Sequence, residues 1–196
     1  MSNINLRIVL LGNSSVGKTS LTGRYTNNKM EDNYMSTIGV DYFEKKITIA
    51  NKNINLRIMD TCGQEKYKSI SKQLVRNVDG IIFVFDLTNS QSFNDIDNWL
   101  TDANNIAKKK AILIGNKKDL VDSKSVNENQ IENLEKKMNM KCFQTSAKTG
   151  ENVEQAFKEL INKILIEIKD ENNKPNNLIL ESNQQNVLLK KKKCCQ

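Results

Sequence analysis

Residues 12–20 read GNSSVGKTS and follow directly on an apolar run. They match G-x-x-x-x-G-K-[ST] in the strand-to-helix setting that a phosphate-binding loop requires. Gly12 and Gly17 let the backbone wrap so that its N–H groups point inward, with Ser14, Ser15, Val16 and Ser20 completing the loop. The helix that follows adds its positive N-terminus, and Lys18 brings a mobile cation to β- and γ-phosphates. Thr19 is then placed to give its hydroxyl to Mg²⁺. A glycine-rich turn that binds nothing is the alternative, and the preceding strand and the Lys-Thr pair speak against it.

A phosphate loop implies a nucleotide without saying which. NKKD at residues 116–119 and TSAK at residues 145–148 both follow strand-like runs, at the sheet edge where ligands of such folds bind. Asp119 is an acceptor-only group that suits the N1–H and exocyclic amine of guanine, while adenine offers no donors in that arrangement. Asn116, Lys117, Ser146, Ala147 and Lys148 complete the candidate base site. Taken alone, NKKD in a chain rich in Lys and Asn is equally well a solvated turn. Between these motifs lies DTCGQE, residues 60–65. Asp60 at a strand end can hold Mg²⁺ directly or through water, Gly63 can offer its N–H to a γ-phosphate, and Gln64 can orient an attacking water. A simple Asx turn is the other reading there. Thr37 is a second hydroxyl candidate for the metal.

The elements that must position these residues follow from the apolar pattern. Residues 4–11 read as a first strand, and residues 41–50 and 54–60 as a hairpin about an Asn-rich turn at 51–53. Residues 81–86 and 111–116 are unbroken apolar runs, the mark of strands buried on both faces. Val153, Ala156, Phe157, Leu160, Ile161, Ile164, Leu165 and Ile168 recur at helical spacing, with Asn152 and Gln155 expected to cap the start. After Lys169 the composition turns to Asn, Lys and Gln around the only proline, Pro175, which predicts a flexible linker. Strands alternating with helices predict an α/β domain over residues 1–169 and a tail over 170–196.

Composition narrows the function classes. The 196 residues suffice for one core, and no apolar run reaches a membrane-spanning length, so a chain neither secreted nor spanning is expected. Histidine is absent and the four cysteines lack ligand or disulfide spacing, which suits a reducing compartment. Of the net charge of +7, Lys190, Lys191, Lys192 and Lys193 supply more than half. The body is thus mildly basic and lacks interleaved aromatic and basic residues, which argues against nucleic acid as a partner.

Together these residues resemble the small GTPases, and residues 6–169 are most similar to the Rab family. STIGVDYFEKKI, RIMDTCGQEKYKSI and GIIFVFDLTNSQSF carry the likeness beyond the nucleotide motifs. The resemblance implies a P-loop NTPase G-domain, a six-stranded, mostly parallel sheet with five helices on both faces. It also implies bound GTP or GDP with Mg²⁺, and a membrane-trafficking switch that hydrolyses GTP slowly until an activating protein speeds it. Lys18, Thr37 and Gln64 would then be catalytic, and Thr19, Thr37 and Asp60 would hold the metal. A monomer is implied, served by an exchange factor, an activating protein, effectors, an escort protein and a GDP-dissociation inhibitor. Four positions depart from the usual pattern. Ser15 replaces a commoner glycine and Cys62 an alanine. Met59 stands where tryptophan is usual, in a patch with Tyr42 and Leu74 that effectors would read. Met30 stands where an aromatic usually packs on the guanine, which predicts faster nucleotide release.

The stretch KKKKCCQ, residues 190–196, is not a C-a-a-X box. It resembles the paired-cysteine endings of Rabs, with Cys194 and Cys195 as geranylgeranyl acceptors. One lipid gives marginal attachment and two give stable anchoring, while each lysine adds about 1 kcal/mol near an anionic leaflet. The expected location is the cytoplasmic face of an intracellular membrane, in exchange with cytosol. Unmodified thiols behind a solvated charge run are the alternative.

Overall fold

The computed structural model describes residues 3–28, 39–61, 75–102, 109–123 and 125–172. Six strands form one sheet: β1 (Ile4–Leu11), β2 (Val40–Ile49), β3 (Lys52–Thr61), β4 (Gly80–Asp86), β5 (Lys110–Asn116) and β6 (Cys142–Gln144). Their order is β2-β3-β1-β4-β5-β6. β1 runs parallel to β3 and β4, β5 runs parallel to β4 and β6, and only the edge strand β2 is antiparallel, to β3. The unbroken apolar runs do become central strands, since every residue of β4 is buried. β2 alternates between half-buried and exposed positions, as an edge strand with one wet face must.

The β2–β3 hairpin turns on two residues rather than three. Ala50 and Asn51 have φ of 50° and 60°, the left-handed pair of a type I′ turn whose twist matches that of the flanking strands. Strand pairing therefore resumes at Lys52, two residues earlier than the run of asparagines suggests, with Ile49 opposite Lys52.

Among the described residues the helices include α1 (Lys18–Asn27), α2 (Ser90–Asn94), α3 (Ile96–Asp102), α4 (Glu128–Met138) and α5 (Val153–Asn172), with a short 3-10 turn at Val121–Ser123. On one side Tyr25 of α1 stacks on Phe157 of α5 at 4.0 Å between ring centroids, and Leu160 and Ile164 lie over Gly80 of β4. On the other side Val9, Leu11, Phe83, Phe85 and Leu113 pack with Ile96 and Trp99 of α3 and with Ile131 and Leu134 of α4. The chain divides into one compact unit over residues 1–164 and a second over 165–196, of which residues 165–172 are the described part.

Helix starts differ from expectation. Asn152 adopts a left-handed φ of 57° and its carboxamide donates to the Gln144 carbonyl at 2.8 Å, so it ties α5 to β6 instead of capping the helix. A reciprocal capping box opens α4 instead, between Asn127 and Gln130. Met59 is buried in the core and Tyr42 is 59% exposed. The expected surface patch thus loses Met59 to the interior, while Leu74 lies outside the described residues.

Candidate functional site

β1 sits between β3 and β4, so successive connections leave it in opposite directions and open a crevice at its carboxyl end. Residues 12–17 turn there before α1 begins at Lys18. A Cβ on Gly12 would lie 2.1 Å from the Val84 carbonyl oxygen, and one on Gly17 would lie 2.3 Å from Asn116 Nδ2. Both positions need glycine because neighbouring strands press on the loop. Ser15 takes a left-handed φ of 63°, where its Cβ is strained and the commoner glycine would not be. Ser14 and Ser15 are exposed, while Lys18 is buried with Nζ donating to the carbonyls of Gly12 and Asn13 at 2.9 and 2.8 Å.

Thr19, on the first turn of α1, donates its hydroxyl to Oδ2 of buried Asp60 at 2.5 Å. Asp60 stands opposite Leu10 in the sheet, near the end of β3. A hydroxyl and a carboxylate side by side are hard oxygen donors, and this donor set fits Mg²⁺. Thr37, Gly63 and Gln64 lie outside the described residues, as does Met30.

Asn116, at the end of β5, is the knot of the site. Its Nδ2 donates to the Val16 carbonyl at 2.9 Å, and its Oδ1 accepts from Thr145 Oγ1 and the Ala147 N–H, both at 3.2 Å. One buried carboxamide so joins the phosphate loop to residues 145–147. Lys117 follows in a left-handed conformation, φ 66°, and its Nζ meets Asp86 Oδ2 at 2.6 Å. Asp86 accepts from the N–H and hydroxyl of Thr88 through its other oxygen, at 2.8 and 2.7 Å. Asp119 takes the Ser146 hydroxyl on Oδ1 at 2.6 Å. A cavity of about 320 Å³ is lined by Ser15, Gly17 and Ser20 from the first motif, Asn116, Lys117 and Asp119 from the second with Leu120 next to it, and Ala147 and Lys148 from the third. A larger one of about 690 Å³ lies along β1, β2 and β3, where Arg57 pairs with Glu44 at 2.7 Å.

Several residues that hold this site carry no motif. Arg24 of α1 donates to the carbonyls of Ala147 and Lys148 at 2.8 and 2.7 Å. Asp86, Leu120 and Asn13 are likewise absent from the sequence-derived set. Asp86 ends a buried strand, a position at which a carboxylate is a signal in hindsight. For Arg24, one cation among many, no such signal exists.

The sequence matches the Ras family over residues 7–166. Ras-related protein Rab-27B of Bos taurus is 37% identical over 173 residues, covering 82% of this chain and 79% of its own. Ras-related protein Rab-1 of Theileria annulata is 43% identical over 154 residues, covering 77% and 70%, and Ras-related protein Rab-13 of Rattus norvegicus is 38% identical over 162 residues, covering 82% and 80%. With the mostly parallel six-stranded sheet and the phosphate loop at its switch point, these similarities establish that the chain belongs to the Ras family and, within it, to the Rab small GTPases of vesicle trafficking, which bind GTP and GDP with Mg²⁺ and hydrolyse GTP.

Proposed function

We propose that residues 12–20 surround the nucleotide phosphates, with Lys18 as the cation among them, and that Asn116, Lys117, Asp119, Ser146, Ala147 and Lys148 select and seat guanine. Thr19, Thr37 and Asp60 would hold Mg²⁺, which when bound acts as a Lewis acid toward the phosphate oxygens. Gly63 donates its N–H to the γ-phosphate and Gln64 orients the attacking water, whose oxygen bonds to the γ-phosphorus as the bond to the β–γ bridging oxygen breaks. The products are GDP and inorganic phosphate. The observation that carries this reading is the single cavity shared by all three nucleotide motifs. Ser146 engages one Asp119 oxygen at 2.6 Å and so turns the carboxylate, an arrangement that suits a base offering two adjacent donors.

Residues 1–169 act as the GTPase domain and residues 170–196 as a tether, with geranylgeranyl groups on Cys194 and Cys195 and the lysines at 190–193 against an anionic leaflet. An escort protein and a GDP-dissociation inhibitor would handle the lipidated chain, while an exchange factor and an activating protein set the cycle on the cytoplasmic face of an intracellular membrane. What supports the tether is the pairing of a cationic run with adjacent thiols, since two lipids give stable attachment where one does not. Among the described residues, no helix is long and apolar enough to cross a membrane.

Single-turnover hydrolysis of preloaded GTP, run beside Gln64→Leu and with ATP as competitor, tests the site. A slow wild-type rate, lost in the variant and indifferent to excess ATP, is the expected result. Equal rates in both proteins would remove Gln64 from the chemistry, and displacement by ATP would remove Asp119 as the guanine selector.

A further inference from the structure

Asn13 is the second residue of the phosphate loop, and its carboxamide is gripped at both ends by one distant segment. Nδ2 donates to Asp95 Oδ2 at 2.6 Å, while Oδ1 accepts from the Trp99 indole Nε1 at 2.7 Å. With a donor on one side and an acceptor on the other, only one orientation of the amide satisfies both partners. The gripping residues are themselves fixed. Asp95 is the junction between α2 and α3, where its N–H bonds the Gln91 carbonyl and its Oδ1 accepts from Gln91 Nε2 at 3.0 Å. Trp99 is buried one turn further along α3, within the core under β1, β4 and β5. On its backbone side, Asn13 supplies one of the two carbonyls that receive the Lys18 ammonium. The residue clamped by the helices is therefore the residue that seats the phosphate-loop lysine.

We propose that Asn13, held between Asp95 and Trp99, is a positioning residue for bound nucleotide, and that residues 90–102 thereby set how long GDP stays in the site. The clamp fixes the first corner of the loop, so Lys18 and the following N–H groups keep their aim. The proposal rests on the assignment of residues 12–20 to the phosphates. If that assignment fails, no variant affects nucleotide, including Lys18→Ala; if only the clamp fails, Lys18→Ala still abolishes retention.

The test is release of a fluorescent GDP analogue from the full chain with Mg²⁺, chased by excess GDP, in wild type, Asn13→Ala, Trp99→Phe and the double variant. Trp99→Phe keeps an aromatic ring in the core and removes the indole donor, and none of these changes alters net charge. Each single change is expected to speed release about tenfold, the scale of a partly buried hydrogen bond whose partner is left unpaired. The double variant should be no faster than the faster single, because both remove the same clamp. Emission from Trp99, the chain's only tryptophan, should shift when nucleotide is removed from wild type and lose that response in Asn13→Ala. Wild-type release in either single, multiplied effects in the double, or an unresponsive wild-type tryptophan would each overturn the clamp. Should Trp99→Phe fail to fold, Asn13→Asp sets two carboxylates against each other and speeds release, and adding Asp95→Asn restores an amide–carboxylate contact and slows it again. Equal release with and without Asp95→Asn overturns the proposal.

Discussion

Tyr25 shows how one residue can be read from its surroundings. Its ring is stacked on Phe157, the Lys45 ammonium lies 4.1 Å from its centroid, and Lys45 also bonds its carbonyl. Burial pushes the phenol up from 10.0 to about 12, and the negative charge of Glu154 adds to the shift. An acid whose folded pKa is raised binds its proton more tightly in the folded chain. The stability this contributes is complete below pH 10, where the unfolded phenol is still protonated, and is lost as pH climbs through the window from 10.0 to about 12. Comparing wild type with Tyr25→Phe isolates the effect from the titrating lysines. Urea midpoints at pH 9 and pH 11.5 should show wild type losing about 2 kcal/mol more than the variant. Parallel loss in both would mean that the phenol ionises in the folded protein as it does in water.

At the scale of elements, the site is held by ties between helices and loops more than by any one helix. α1 begins under the phosphate loop, and Arg24 in its last turn reaches residues 147 and 148 while also bonding the Asn28 carbonyl at 2.9 Å. The same helix so ties the loop at residues 12–17 to residues 147 and 148 across the cavity. Arg24→Ala should weaken GDP binding about tenfold in calorimetry and lower stability by about 1–2 kcal/mol, less than a buried charged pair because the guanidinium is partly solvated. Unchanged GDP affinity with the same stability loss would limit the tie to a structural role. The start of α4 is written in the sequence: Asn127 and Gln130 stand three apart ahead of Ile131 and Leu134, a capping-box spacing that the helix uses.

For the whole molecule, ligand and fold are linked through Asn116. Its carboxamide joins two segments separated by more than 100 residues, and a nucleotide lying across the same cavity would join them again. A ligand that binds only the folded chain stabilises it by about 2.7 kcal/mol at a hundredfold excess over its Kd. Removing Mg²⁺ by chelation and GDP by enzymatic digestion should therefore lower the melting midpoint by about 5–10 °C, given the usual entropy of unfolding for a chain of this size. A midpoint that does not move would mean that nucleotide does not bind the folded chain in preference to the unfolded one.

The order of strands and helices, and the three motifs whose residues line one cavity, could be read from the chain alone, because each depends on local chemistry. Glycine at Gly12 and Gly17, period-two alternation in β2 and the helical stripe from Val153 to Ile164 all act within a few residues. Four things were decided only by the fold: the burial of Met59, the diversion of Asn152 from helix cap to strand tie, the pairing of Lys117 with Asp86, and the clamp on Asn13. The last two join groups that the sheet order β2-β3-β1-β4-β5-β6 brings together from distant parts of the chain, whereas Met59 and Asn152 answer to the packing immediately around them. A polar side chain has no preferred partner until packing removes water and leaves it one, and that choice is made in three dimensions.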